Sequence, residues 1–169
     1  MSTNSIAEAS QHLTFNLDEE VFAVDISKVR EVIEFPAITK VPQTPEFMSG
    51  VINLRGSVVP VVDLRLKFGM TETEKTVNTC IIIVEISLDG ETAIVGALAD
   101  AVQEVLEFEA DQINPTPKIG MNLKTDFIQG MGKKDDKFII ILDIDNVFSM
   151  DELVAVQDAE SHAPLESNN

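Results

Sequence analysis

The chain has 169 residues, enough for one domain or for two very small ones that share a core. Twenty-nine acidic residues against twelve basic ones give a formal charge of −17, which argues against nucleic acid and anionic membrane surfaces, since both are held by clustered Lys and Arg. One cysteine excludes an intrachain disulfide, no run reaches the ~18–20 apolar residues that span a bilayer, and without Trp or Tyr the core must come from Val, Ile, Leu and Phe, whose β-branched members favour strands.

Met1–Gln11 is small and polar and lacks the basic and apolar regions of a signal peptide, so residues 1–11 read as a flexible N-terminus of a cytoplasmic protein. Leu13, Phe15 and Leu17 alternate with polar residues, the signature of a strand with one buried face. A turn at Asp18–Glu20 leads to a second strand carrying Phe22, Val24 and Ile26. Asp25 then predicts the cap of a short helix with Val29 and Val32–Ile33 on one face. The segment Thr44–Gly50 predicts a compact helix, with Thr44 at the N-cap, Pro45 at the first helical position and Gly50 beyond the end.

Gly50–Leu64 reads as strand, turn at Arg55–Gly56, strand; Pro60 places the second strand at an edge or a bulge, because it donates no ladder hydrogen bond. Asp63–Gly69 predicts one helical turn capped by Asp63 and closed by Gly69. Cys80–Leu98 is a hairpin around Asp89–Gly90, and Phe127–Asp145 is another around Lys133–Asp136. Ser149–Glu160 carries an apolar side and reads as a C-terminal helix, with a polar tail after it.

The two halves echo each other. Phe47–Gly50 and Phe127–Gly130 share Phe and Gly at the same spacing, and thirteen positions separate both Gly50 from Asp63 and Gly130 from Asp143. Upstream, Val29–Val32 (VREV) matches Val102–Val105 (VQEV). The offset is 73 for the upstream pair and 80 downstream, which one loop insertion near Asn114–Lys118 accommodates. The pattern favours two similar small β units packed together, with a seam between them.

Catalytic chemistry is thinly represented. His12 and His162 lie at or near the presumed loose ends, where no general base is held rigidly. Cys80 opens an apolar strand with no basic neighbour and reads as a buried structural thiol. Asp143 and Asp145 are too few oxygens for a hard cation and read as helix capping. No phosphate loop, nucleophile elbow or zinc spacing is present, so neither catalysis nor a cofactor is expected. Arg55 is either a solvated hairpin residue or the partner of Glu31, whose carboxylate would fix the guanidinium fork for an incoming partner.

The stretches Gly50–Gly69, Val24–Glu34, Leu98–Phe108 and Phe127–Asp145 together resemble the bacterial chemotaxis coupling proteins of the CheW-like domain family, from about Leu13 to Leu153. The Asn-Leu-Arg-Gly hairpin followed by Pro-Val-Val-Asp-Leu is the specific part. The resemblance implies a mainly β fold: two intertwined five-stranded SH3-like β-barrels with short helices and a C-terminal helix, and no enzyme activity. Within a single domain spanning 12–158, barrel one is expected at about 20–77 and barrel two at about 12–19 plus 78–150. The C-terminal helix is expected at about 149–160, and a flexible acidic tail at 161–169.

By the same resemblance, such proteins bridge the cytoplasmic hairpin tip of chemoreceptors to the regulatory domain of the kinase CheA. The chain would be monomeric when free and recruited to membrane-associated receptor arrays. The receptor would lie between the barrels against Leu13, Ile26, Val29, Val32 and Val102, with Arg55 and Glu31 as a coupling pair. Ile38, Val41 and Gly50 would face the kinase. Two alternatives stay open: an adaptor of a twitching or surface-sensing pathway, and a free-standing SH3-like peptide binder. The absence of Trp and Tyr weakens the second, because proline-rich recognition uses an aromatic groove.

Overall fold

The computed structural model describes residues 9–88, 90–114 and 127–148. Residues 1–8, the loop at Asn114–Lys118 beyond Asn114, Asp89, the expected C-terminal helix at 149–160, the tail at 161–169 and His162 lie outside the described residues.

Strand β1 (Ala9–Leu17) turns at Asp18 into β2 (Glu20–Asp25), and a 3-10 turn at Ile26–Lys28 leads to β3 (Val29–Glu34). Strands β4 (Met48–Leu54) and β5 (Ser57–Asp63) form a hairpin that ends in helix α1 (Leu64–Lys67). Next come β6 (Cys80–Leu88), β7 (Glu91–Ala99), β8 (Ala101–Glu109), a 3-10 turn at Ala110–Gln112 and the short β9 (Ile113–Asn114). A last hairpin, β10 (Ile128–Lys134) with β11 (Lys137–Leu142), ends in helix α2 (Ile144–Val147).

Two sheets result, one ordered β3-β6-β7-β5-β4 and the other β8-β1-β2-β11-β10-β9. Each curls shut through the chain that follows its first edge strand. Downstream of β3, Thr39 bridges Val51 on β4; downstream of β8, β9 pairs β10 through Asn114 and Met131. The two barrels are therefore built alike, and closure removes free sheet edges that would invite aggregation.

Membership differs from the expected partition. Strand β2 (20–25) sits in the barrel of β1, whereas β6 and β7 (80–99) complete the barrel of β3, β4 and β5. We call the β3–β7 barrel the first and the other the second. The reason is the parallel pairing of each hairpin's second strand: β5 joins β7 through Val61–Asp63, and β11 joins β2 through Ile140 and Ile141. These contacts link segments remote in sequence, so the chain leaves the second barrel to build the first and then returns to finish the second.

The core has three layers. Ile52, Val59, Val61, Ile81, Ile83 and Leu98 fill the first barrel; Ala23, Phe108, Ile139 and Ile141 fill the second. The largest layer lies between barrels and includes Leu13, Phe15, Leu17, Phe22, Ile82, Val84, Ile86 and Phe148. Strand β6 explains its own sequence: Ile81 and Ile83 point into a barrel, while Ile82 and Val84 point into the layer between them. From Cys80 to Val84 both faces are buried, so this part of the strand reads as an unbroken apolar run, and each large aliphatic side chain stabilises by about 1.5–3 kcal/mol.

Four local expectations are overturned. Thr44–Gly50 is no helix: the Thr44 hydroxyl donates to the Val41 carbonyl at 2.9 Å, and β4 already begins at Met48. Gly50 sits at a β-bulge with φ 146°, and a Cβ there would lie 2.3 Å from the Thr39 carbonyl oxygen; the close approach of a second strand decides the conformation. The segment after Asp25 is a 3-10 turn, with the Asp25 carboxylate accepting from Ser27 N at 2.9 Å, and Val29–Glu34 is a strand whose burial alternates. At the N-terminus, Ala9–Gln11 belongs to β1 and pairs with Glu107–Glu109. Pro60 lies in an internal strand, just before the residues that pair with β7.

Asp63 caps its helix, its carboxylate accepting from Arg65 N at 3.0 Å. Asp143 precedes α2 without a side-chain cap hydrogen bond, so its capping reading holds in position only, and Asp145 lies inside α2, where that reading fails. Asp63 N donates to Phe47 O at 2.7 Å, and Asp143 N to Phe127 O at 2.8 Å. The repeat offset of 80 therefore carries backbone hydrogen bonds as well as residue types.

Candidate functional site

The seam between the barrels is edged by the repeated Val-x-x-Val segments. In β3, Val29 stands opposite Val84 and Val32 opposite Ile82; in β8, Val102 stands opposite Phe15 and Val105 opposite Leu13. All four opposing residues belong to the layer between the barrels. In regular strands, residues three apart point to opposite faces. Here a bulge in each segment, between Val29 and Glu31 and between Val102 and Val105, returns both valines to the seam face. The sequence places Val29 and Val32 on one face by helical spacing; a bulge achieves the same result.

Val29 and Val102 are half-buried against the layer, as is Ile26, and Leu13 is buried within it. Val32 and Val105 are 41% and 45% exposed, a large fraction for valine beside a core. The structure thus brings Leu13, Ile26, Val29 and Val102 to one apolar layer and leaves Val32 at its rim. Val105 is the counterpart that sequence reasoning misses as a site residue; the VREV/VQEV repeat is the signal for it.

Above the first rim lies the β4–β5 hairpin tip. Arg55 and Gly56 have φ 51° and 89°, a two-residue turn of the kind that matches strand twist. Gly56 N donates to the Asn53 side chain at 2.8 Å. Asn or Asp suits the position Arg55 occupies better than Arg, because their short polar side chains tolerate positive φ. Arg55 nevertheless stands there and its guanidinium forks onto Glu31: Nη1 donates to Oε1 at 3.4 Å, and Nη2 donates to Oε2. The Arg55 side chain stays 69% exposed, with Glu31 at 30%. A pair this open adds about 0–1 kcal/mol, so its consequence is the fixed orientation of an exposed fork.

The second barrel holds the corresponding pair. Lys134, at the end of β10, donates to Glu104 at 2.9 Å, and Glu104 is the acid of VQEV as Glu31 is the acid of VREV. Lysine offers a point charge where arginine offers a planar fork.

Ile38, Val41 and Gly50 gather where the first barrel closes. A Cβ on Gly50 would also lie 2.7 Å from Ile38 Cγ2, so those two touch, and Val41 is buried nearby on the same connecting segment. Ile38 packs on the first barrel's interior cluster while staying half-exposed.

The remaining reactive groups are structural. His12 is buried in β1, not loose: its ring meets Phe108 edge-on at 5.6 Å, and neither ring nitrogen has a hydrogen-bond partner. Burial pushes its pKa below the ordinary 6.5, opposed by the charge of Asp25 and a backbone contact at Ser10. Cys80 is buried, and burial followed by the charge of Asp100 raises its pKa, which disfavours the reactive thiolate. Asp145 accepts from Lys28 and from Ser87 N, both at 2.9 Å. Among the described residues no three His, Cys, Asp or Glu side chains cluster as a metal site, and no helix is long and apolar enough to cross a membrane.

Comparison with known proteins adds a family to this geometry. The CheW-like domain profile matches residues 11–152. The chemotaxis protein CheW of Klebsiella aerogenes is 35% identical over 153 residues, 90% of each chain. That of Thermotoga maritima is 38% identical over 138 residues, 80% of this chain and 85% of the relative. The crystal structure of the scaffolding protein TtCheW from Thermoanaerobacter tengcongensis superposes with a TM-score of 0.75 at 40% identity, covering 85% of this chain and 90% of that one.

Proposed function

The chain belongs to the CheW-like domain family, and from that premise we propose how its seam and hairpin tip work. It is a chemotaxis adaptor and scaffold, a member of a coupling rather than a catalytic family, and its partners are the receptors and kinase of chemotaxis. The receptor's cytoplasmic helical hairpin tip lies in the seam, against Leu13, Ile26, Val29, Val32 and Val102, with the Arg55 fork docking a polar group of the hairpin. The regulatory domain of CheA contacts the closing end of the first barrel at Ile38, Val41 and Gly50. The protein acts in the cytoplasm, without cofactor or turnover, and joins membrane-associated arrays through the receptor.

The observation that carries this reading is the seam itself. It presents exposed apolar side chains in pairs from two barrels, beside one oriented guanidinium. An amphipathic helix docks in such a surface through apolar anchors at its own spacing. A proline-rich ligand instead needs an aromatic groove, and this chain has no Trp or Tyr to build one.

The test is a titration of the protein and its Arg55→Glu variant against a purified receptor hairpin and a purified CheA regulatory domain. The expected result is binding to both, with the variant about tenfold weaker toward the receptor alone. Full receptor affinity in a folded Arg55→Glu protein would remove Arg55 from the site. Failure of the parent to bind either target would sink the coupling reading.

A further inference from the structure

We propose that Arg65 and Asp145 are positioning residues of the seam: each locks one of the two chain crossings between barrels and so sets how far apart the two Val-x-x-Val strands stand. The two residues lie 80 positions apart, the offset of the repeat, one on α1 and the other on α2. They carry opposite charges, yet each reaches an equivalent place.

The chain passes from the second barrel to the first at Ile26–Lys28, between β2 and β3. It returns at Asp100, between β7 and β8. At the first crossing, Asp145 of the second barrel's helix takes Lys28 Nζ on one carboxylate oxygen and Ser87 N of β6 on the other, both at 2.9 Å. At the second, Arg65 of the first barrel's helix donates Nη1 to Asp100 at 3.0 Å. Asp100 is itself tied to the second barrel. Its carboxylate accepts from Asp18 N at 2.6 Å, and its own N–H donates to Asn16 O at 3.0 Å. Arg65 is further fixed by Thr71, whose carbonyl and hydroxyl accept from Nε and Nη2 at 3.0 and 2.7 Å.

Each clasp sits one or two residues before a seam valine. Val29 follows Lys28, and Val102 stands two residues after Asp100. The bulges that turn the valines into the seam begin at those same valines. A strand that starts at a held crossing has little freedom to slide, whereas the apolar layer alone is non-directional and tolerates small shifts of one barrel against the other. The clasps therefore supply the direction that apolar packing lacks. No receptor atom need touch them.

The experiment measures the spacing and the binding separately. Spin labels on Glu34→Cys in β3 and Glu107→Cys in β8, both exposed and in a Cys80→Ala background, report the distance between the strands. Asp145→Asn keeps an acceptor for Ser87 N and loses the charge for Lys28, so it is the mild variant; Arg65→Met removes the other clasp. The expected result is a narrow distance distribution in the parent and a broadened or displaced one in each variant. Receptor-hairpin affinity should fall about fivefold to tenfold, with kinase-domain affinity unchanged. Lys28→Arg, which keeps the pair, should hold both readouts at the parent value, while Lys28→Met should behave as Asp145→Asn. An unchanged distance distribution in folded variants overturns the inference. The seam as receptor site rests on the function proposed above. Should the parent bind no receptor, that function fails, and the distance readout alone still decides the clasps.

Discussion

The two barrels share a blueprint and use it differently. Each has a bulged Val-x-Glu-Val strand, a hairpin whose glycine lies under a closing strand, an aspartate before a short helix, and an ion pair from hairpin to edge strand. The first barrel's buried interior is aliphatic, with half-buried Phe35 packed against it, and an arginine forks over its hairpin tip. The second barrel buries a histidine and a threonine on β1 and ends its hairpin in Asp135–Asp136, both at positive φ. A duplicated backbone frame thus leaves tips and interiors free to diverge, because the frame depends on strand pairing and the tips face solvent.

The glycines give the sharpest contrast. A Cβ at Gly50 meets the Thr39 backbone at 2.3 Å, and its φ of 146° disfavours any other residue. At Gly130 the nearest obstacle is the Ile113 side chain at 2.5 Å, with the Asn114 carbonyl at 3.0 Å. Gly50→Ala is expected to cost about 3 kcal/mol, a fall in Tm of roughly 6–12 °C, and Gly130→Ala about 1 kcal/mol, since a side-chain end moves more readily than backbone. Equal melting temperatures for the two variants would break the contrast.

The barrel interiors should differ in acid. His12 is buried without a partner, with Asp25 opposite it on β2. Its folded pKa lies below the unfolded 6.5, so the unfolded chain takes up the proton first and stability falls as pH drops below about 6.5. The loss runs at roughly 1.4 kcal/mol per pH unit until the folded pKa is reached. Denaturant melts at about pH 7.5 and 5.5, on either side of the unfolded value, on the parent and on His12→Leu isolate this part: the variant should lose less stability between the two. An identical loss in both proteins would show that His12 titrates normally.

The smallest effect concerns the hairpin tips. Arg55→Asn places Asn-Gly in a turn where both residues have positive φ, and should stabilise by about 0.5 kcal/mol while removing the fork. The expected pattern is a slightly higher Tm with weaker receptor binding. A destabilised variant would mean that the Glu31 pair outweighs the backbone preference.

Much of this architecture is legible in the residue order. Alternation in Leu13–Leu17, the hairpins around Gly90 and at 133–136, the cap at Asp63 and the duplicated Gly-to-Asp interval are local patterns, and local patterns report backbone preference. A hairpin apex and a repeated segment nominate Arg55 and Glu31, and the structure brings their side chains together. Val105 is visible in the repeat, but the repeat alone does not show that its side chain stays exposed at the rim. His12 defies its place near a terminus, because position along the chain says nothing about pairing with a distant strand such as β8.

What the amino-acid order determined by itself was the set of strands β1, β2, β4–β7, β10 and β11 with their turns and buried faces, since these follow from side-chain period and the dihedral limits of Gly, Pro, Asn and Asp; it did not determine β3, which it reads as a helix. What the tertiary structure alone decided was which strands share a barrel, that Thr44–Gly50 enters a strand instead of a helix, and that valines three apart face one seam. Each of these turns on a contact with a segment far along the chain: β7 on β5, Thr39 on Gly50, Val84 on Val29. Such contacts outweigh propensities worth only about 1 kcal/mol per residue.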